Sequence, residues 1–130
     1  MSAGKKWVVT GGCGFIGANL VNRLSNEGGH TMRVVDDLST GHRDYLDIDD
    51  TVDPTSGGKL EAVDDLPGDT VQLVNADILD REVARRAVRG ADAVVHLAAA
   101  TGVPQSVENP FGDCRSNVVG TLTYLDAAEI

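Results

Sequence analysis

Thr10-Gly11-Gly12-Cys13-Gly14-Phe15-Ile16-Gly17 carries a glycine at every third position from Gly11, and its flanks decide what those glycines are for. Before them, residues 7–10 form a short apolar run of β-forming side chains. After them, Ile16, Leu20, Val21 and Leu24 fall on one helical face, and Gly28-Gly29 stops that helix. Glycines between a strand and a helix permit a tight turn, close approach of backbone to a pyrophosphate, and close packing of helix on strand. The helix start adds free N–H groups and the positive end of its dipole. A glycine pattern alone suits a structural turn equally well. The strand before it and the amphipathic helix after it favour phosphate binding.

The same alternation continues outward. Residues 31–35 read as a second strand closed by Asp36-Asp37, and residues 71–74 as a third running into Asn75-Ala76-Asp77. Asp80 is placed to cap a helix that turns Val83, Ala84, Ala87 and Val88 inward, with Gly90 past its end. Residues 93–97 form a fourth strand, continuous in apolar residues but for His96, as a strand buried on both faces should be. Asn109-Pro110 supplies a cap and first-turn proline for a helix reaching toward Ala128. Strands alternating with helices specify a parallel sheet with right-handed crossovers. The expected fold is α/β, a partial Rossmann-type doubly wound parallel sheet of four strands in the order 3-2-1-4, in one domain over residues 1–130. The exception is an irregular surface excursion over about residues 42–68, whose middle, residues 49–58, is almost free of apolar side chains and is expected to be mobile.

Asp36 stands 19 residues beyond Gly17, at the end of the second strand. A carboxylate there accepts both hydroxyls of an adenosine ribose and repels a 2′-phosphate, which argues for NAD over NADP. A strand-end Asp that merely caps a turn is the plainer alternative, and Arg43 nearby could accommodate a phosphate. The spacing Gly-x-x-Gly-x-x-Gly differs by one residue from the dinucleotide pattern of ordinary dehydrogenases.

Composition narrows the partners. The 130 residues are 42% hydrophobic and 24% charged, as in a soluble globular chain, with a net charge of −9. A chain this acidic repels phosphate backbones, so no nucleic-acid partner is expected. The densest basic stretch, Arg81, Arg85, Arg86 and Arg89, reads as a solvated helix face. No apolar run approaches the ~20 residues of a spanning helix, so no membrane partner is expected either. Cys13 and Cys114 lie far apart, outside any Cys-x-x-Cys pair, and the N-terminus lacks the pattern of a secretory signal. A cytoplasmic protein with reduced thiols follows. Asp outnumbers Glu fifteen to five and Arg outnumbers Lys eight to three, which is compatible with a high-salt host.

Taken in order, Thr10-Gly-Gly-Cys-Gly-Phe-Ile-Gly17, Val35-Asp-Asp-Leu-Ser-Thr-Gly41, Ala76-Asp-Ile78 and His96-Leu-Ala-Ala99 resemble the N-terminal part of an extended short-chain dehydrogenase/reductase. That is the family of NAD-dependent nucleotide-sugar epimerases and dehydratases. Ser106-Val-Glu-Asn-Pro110 and Asn117-Val-Val-Gly-Thr121 are similar to the corresponding segment of UDP-sugar 4-epimerases. The resemblance implies that Gly11, Gly14 and Gly17 shape the loop while Phe15 and Ile16 meet the pyrophosphate through their backbone. Asp36 would hold the adenosine ribose, with Asp37, Leu38, Ser39, Thr40 and Gly41 wrapping the adenine side. Asp77 and Ile78 would touch the adenine. Leu97, Ala98, Ala99, Ala100 and Thr101 would line the path from pyrophosphate to nicotinamide, and Asn117 would approach from the last helix. Read singly, Asp77 is a turn residue before a helix and Asn117 a helix-surface amide. His96, among apolar neighbours at a strand end, reads as structural, and Cys13 as a packing residue; no metal site is expected.

The family uses a Ser or Thr on the next strand and a Tyr-x-x-x-Lys pair to exchange a proton with the sugar. Here the only tyrosines are Tyr45 and Tyr124, followed four residues later by Asp49 and Ala128. The resemblance therefore implies a chain that ends before the catalytic residues and the sugar domain. It would bind NAD without catalysis, while the complete parent enzyme transiently oxidises a nucleotide sugar at C4. A stand-alone dinucleotide-binding regulatory module and a truncated gene product are the alternatives. Self-association, or pairing with a complementary fragment, is expected of such a chain.

Overall fold

The computed structural model describes residues 4–64 and 66–129. Asp65, inside the excursion, lies outside the described residues. Five strands form one parallel sheet: β1 Lys6–Thr10, β2 Thr31–Asp36, β3 Asp50–Val52, β4 Val71–Asn75 and β5 Ala93–His96. Their order is β3-β4-β2-β1-β5. The four expected strands keep their expected neighbours, and β3 is an addition at the outer side of β4. Thr10 at the end of β1 is in register with Val35 of β2 and His96 of β5, so these strands end level.

Alternation within each strand feeds two core layers. Val9, Met32, Val34, Val71 and Leu73 face α1 (Phe15–Glu27), which brings Ala18, Val21 and Leu24. Val8, Val35, Val52 and Val74 face α2 (Arg81–Val88), which brings Val83, Ala84 and Ala87, and Tyr124 joins them. The central strands are apolar on both faces because helices cover both. Among the described residues β5 pairs with β1 alone, and it is half-buried, so the expectation of a doubly buried fourth strand gives way to a sheet edge.

The excursion is more ordered than its composition suggests. Residues 49–58 were expected to be mobile, yet β3 lies within them and pairs with β4 from Asp50 opposite Gln72 to Val52 opposite Val74. The polar side chains there make bonds of their own. Asp49 accepts from the Val71 N–H at 2.7 Å, Asp50 from the Gln72 amide at 3.0 Å, and Asp53 caps the 3₁₀ turn Pro54–Ser56. Val52 and Val63 supply the buried anchors. A three-residue strand is too short to show period-two patterning.

Arg33 of β2 is fully buried and ties three elements together. Its guanidinium donates to Gln72 Oε1 at 2.7 Å, to the Ala87 carbonyl at 2.8 Å in the last turn of α2, and to the Val63 carbonyl in the 3₁₀ segment Leu60–Asp64. The Ala87 carbonyl belongs to a helix end that lacks intrahelical donors and carries the negative end of the dipole. The arginine face of α2 is solvated as expected, with Arg81, Arg85 and Arg89 exposed and Arg86 partly buried. Arg86 pairs with Asp64 at 2.7 Å and Glu82 at 3.3 Å, Arg89 with Asp64 at 3.6 Å, and Arg81 with Asp126 at 3.6 Å.

The C-terminal helix is continuous in direction but not in type. After α3 (Val103–Glu108), which was not anticipated, α4 (Pro110–Cys114) starts at the Asn109 cap, where the side chain accepts from Gly112 N–H at 3.1 Å. A π turn over Arg115–Val119 follows, then α5 (Gly120–Ala128). Tyr124 on α5 points into the core.

Candidate functional site

The glycine loop, the ends of β2, β4 and β5, and the π turn meet in one cleft of about 490 Å³. It lies at the carboxyl ends of the strands, on the side where α/β sheets bind ligands. The loop enters from β1. Gly11 has φ +68°, and a Cβ there would lie 2.8 Å from the Ala98 nitrogen, so only glycine lets the loop cross the end of β5. A Cβ on Gly17 would collide with the Gly11 carbonyl, so the loop can fold back onto the start of α1 only with glycine there. Gly14 stands at the N-cap in extended backbone and brings no capping side chain. The first N–H groups of α1 therefore face the cleft without a protein cap, beside the positive dipole end. Phe15 and Ile16 are 84% and 66% exposed at that mouth.

Opposite the loop stands Asp36, 8% exposed and on the cleft wall. Its Oδ2 accepts from Cys13 N–H at 2.9 Å and its Oδ1 from Leu38 N–H at 2.8 Å. A carboxylate has about four acceptor positions. Two are occupied here, which fixes the group and leaves capacity for two ligand hydroxyls. Asp37 accepts from Ser39 N–H at 3.0 Å, and Asp77 from Leu79 N–H at 2.9 Å, so each also shapes its own turn. No Lys or Arg is among the described residues lining the cleft. A phosphate there would meet backbone N–H groups and hydroxyls rather than a cationic side chain. The three carboxylates would oppose a second phosphate on the ribose side. Arg43 is turned away, with its Nη2 on Thr51 Oγ1 at 3.2 Å.

The cleft brings together Gly11, Gly14, Phe15, Ile16, Gly17, Asp36, Asp37, Ser39, Thr40, Asp77, Ile78 and the run from Leu97 to Thr101. Three residues expected with them stand behind its wall. Leu38 turns at φ +62° and packs on the α1 core layer. Gly41 abuts the Cys13 carbonyl, where a Cβ would sit 2.5 Å away. Asn117 clamps the wall, its Oδ1 accepting from Ala100 N–H at 2.7 Å and its Nδ2 donating to the Ala100 carbonyl at 2.9 Å. Ala76 and Ser116 line the cleft without having been singled out. Ala76 only needed its place between Asn75 and Asp77, whereas Ser116 depends on the π turn, which leaves no mark in the residue pattern.

Cys13 is fully buried, and burial together with Asp36 pushes its thiol up to about 12, against the lowering expected at a helix start. It is no nucleophile. A larger groove of about 880 Å³ runs along the open edge of β5 between α2 and α5, away from the glycine loop. Among the described residues no group of three His, Cys, Asp or Glu could hold a metal ion, and no helix is long and apolar enough to cross a membrane.

Comparison with known proteins agrees with this geometry. The model of the NAD dependent epimerase/dehydratase family matches residues 7–130. A dTDP-glucose 4,6-dehydratase of Mycobacterium tuberculosis is 36% identical over 121 residues, which cover 92% of this chain and 31% of that protein. An epimerase of Methanothermobacter thermautotrophicus superposes with a TM-score of 0.76 at 31% identity, over 97% of this chain and 32% of the other. UDP-glucose 4-epimerase from Brucella ovis, solved in complex with NAD, superposes with a TM-score of 0.70 at 30% identity, over 95% and 31%. The chain thus spans about a third of the length of the relatives it matches.

Proposed function

Because the chain belongs to the NAD-dependent epimerase/dehydratase family, we propose that its cleft binds NAD and forms the cofactor half of a nucleotide-sugar epimerase or dehydratase. One observation carries the reading: an uncapped helix start behind a glycine-only loop faces an oriented carboxylate at the neighbouring strand end, within one cleft. The N–H groups before and within the first turn of α1 take the pyrophosphate, and Asp36 takes the adenosine ribose. Asp37, Ser39, Thr40, Asp77 and Ile78 border the adenine, the residues from Leu97 to Thr101 border the remainder, and Leu38, Gly41 and Asn117 hold the walls from behind. NAD supplies the hydride chemistry at C4 of the sugar in the complete enzyme.

Proton transfer is not among the tasks of this cleft. It holds no Tyr, Lys, His or Cys among its lining residues. Tyr124 is 2% exposed, and Tyr45 sits in the excursion. These 130 residues therefore bind the cofactor without turning over a nucleotide sugar. The open edge of β5 and its groove suit pairing with a complementary segment or a second copy.

Calorimetric titration tests the cofactor assignment. NAD should bind at least about tenfold more tightly than NADP, the worth of hydrogen bonds to a charged group. Asp36→Ala should close most of that gap by weakening NAD alone. Equal affinities in the parent chain would remove Asp36 from the ribose site.

A further inference from the structure

His96 ends β5 immediately before the cleft wall, and no role assigned above uses it. Its ring lies between two threonines. Nδ1 is 2.6 Å from the Thr10 hydroxyl of β1, and Nε2 is 3.1 Å from the Thr121 hydroxyl of α5. Thr10 Oγ1 already accepts from Leu97 N–H at 3.0 Å and Ala98 N–H at 3.2 Å. A hydroxyl has two acceptor lone pairs and one proton, so the Thr10 proton goes to Nδ1. Nδ1 is then the acceptor, and the ring proton sits on Nε2 and is donated to Thr121. The Thr121 hydroxyl donates in turn to the Asn117 carbonyl at 2.7 Å. The Asn117 side chain grips Ala100, which returns the chain of bonds to the wall where it began.

We propose that His96 is a positioning residue that, as the neutral Nε2–H tautomer, closes a ring of hydrogen bonds holding the 97–101 wall at both ends, and that its protonation opens the ring and weakens cofactor binding. The binding half rests on the NAD reading above. Protonation puts a second N–H at Nδ1, facing an oxygen whose lone pairs are taken. Thr10 must then release one backbone donor. Leu97 N–H also reaches the Thr10 carbonyl at 3.1 Å, which leaves Ala98 as the group that feels the change.

Against the ring stand Thr10 from β1 and Thr121 and Tyr124 from α5, the phenol ring stacked at 5.9 Å and 19°. Of these only Tyr124 titrates, and burial, with Asp80 and Asp77 beyond it, pushes its pKa up, so it stays neutral. None of the three carries a charge that would compensate an imidazolium, and burial holds the His96 pKa below its ordinary 6.5. A group with a depressed folded pKa takes up protons on unfolding. The ring of bonds is therefore intact above the ordinary value and lost as pH falls through the folded one.

The isotope-labelled full chain, followed by nitrogen NMR from neutral to mildly acidic pH, tests the ring directly, with calorimetric NAD titrations in parallel. The expected result is the Nε2–H tautomer at neutral pH, an Ala98 amide that shifts with the His96 titration, and an NAD affinity that falls about fivefold over the same interval, the net worth of one hydrogen bond. His96→Asn, whose side-chain oxygen keeps an acceptor for Thr10 but which cannot reach Thr121, should bind NAD more weakly than the parent at neutral pH and lose the pH dependence. An Nδ1–H tautomer, an Ala98 amide indifferent to the titration, or an unchanged pH slope in His96→Asn would overturn the proposal. A chain that binds no NAD at any pH would overturn the cofactor reading, and the tautomer and the amide would still decide the ring.

Discussion

At the scale of single residues, burial reverses what local position suggests for Cys13. Cys13 follows two glycines at a helix start, a place that favours the thiolate, yet its side chain is sealed in the α1 core layer beside the Asp36 carboxylate. Both surroundings disfavour the anion, which is the nucleophile. Cys114 is exposed at the end of α4. Treatment of the native chain with iodoacetamide at neutral pH should therefore label Cys114 alone, with Cys13 reacting only after denaturation. Mass spectrometry of the two peptides reads the outcome, and early labelling of Cys13 would show that the glycine loop opens far more readily than its packing allows. Asp36 shows the same dependence on surroundings. Its chemistry was legible from its place after the second strand. The two N–H bonds that aim it come from Cys13 and Leu38, which the residue pattern does not join to it.

At the scale of elements, Arg33 decides whether the excursion belongs to the sheet. It is a buried cation hydrogen-bonded to β4, to the end of α2 and to the Leu60–Asp64 segment. Arg33→Met keeps much of the volume and strands the buried carbonyls of Ala87 and Val63. Each buried polar group left unsatisfied costs about 1–3 kcal/mol, so a loss of about 2 kcal/mol or more is expected in urea unfolding. A loss below about 1 kcal/mol would mean that water replaces the guanidinium. The π turn is the other decisive element. A helix was expected from Asn109-Pro110, and its cap and first turn are found as read. The widened turn over Arg115–Val119 contains both Ser116, on the cleft, and Asn117, on Ala100. π turns often accompany functional sites. This one aims an amide at a wall that regular helical spacing would not specify.

At the scale of the whole molecule, the sheet ends in the three-residue β3 on one side and in β5 on the other. β3 shields β4, whereas β5 presents an edge and a groove, and Val118, Leu122 and Leu125 are exposed on the neighbouring helical segment. Unpaired strand edges and apolar patches favour association. The net charge of −9 opposes it, but only over a distance that screening shortens to ~10 Å at 0.1 M salt. Light scattering across a salt series should show association growing with salt while circular dichroism stays constant. A folded monomer at every salt concentration would show that the β5 edge is protected.

By itself the sequence determined the alternating β/α order, the glycine loop with Asp36 beyond it, and the family, because each rests on local pattern: apolar periodicity, turn chemistry and short spacing. It did not reveal β3, Arg33's partners, the π turn, or the path of hydrogen bonds through Thr10, His96, Thr121 and Asn117. Those bonds join residues 25 and 86 positions apart in the chain, where no periodicity reaches. Only the packing of α5 against β5 and the pairing of β5 with β1 bring the four side chains together. The residue types at a cofactor cleft are thus written locally, while the aim of its walls is a property of the folded sheet and the helix laid over it.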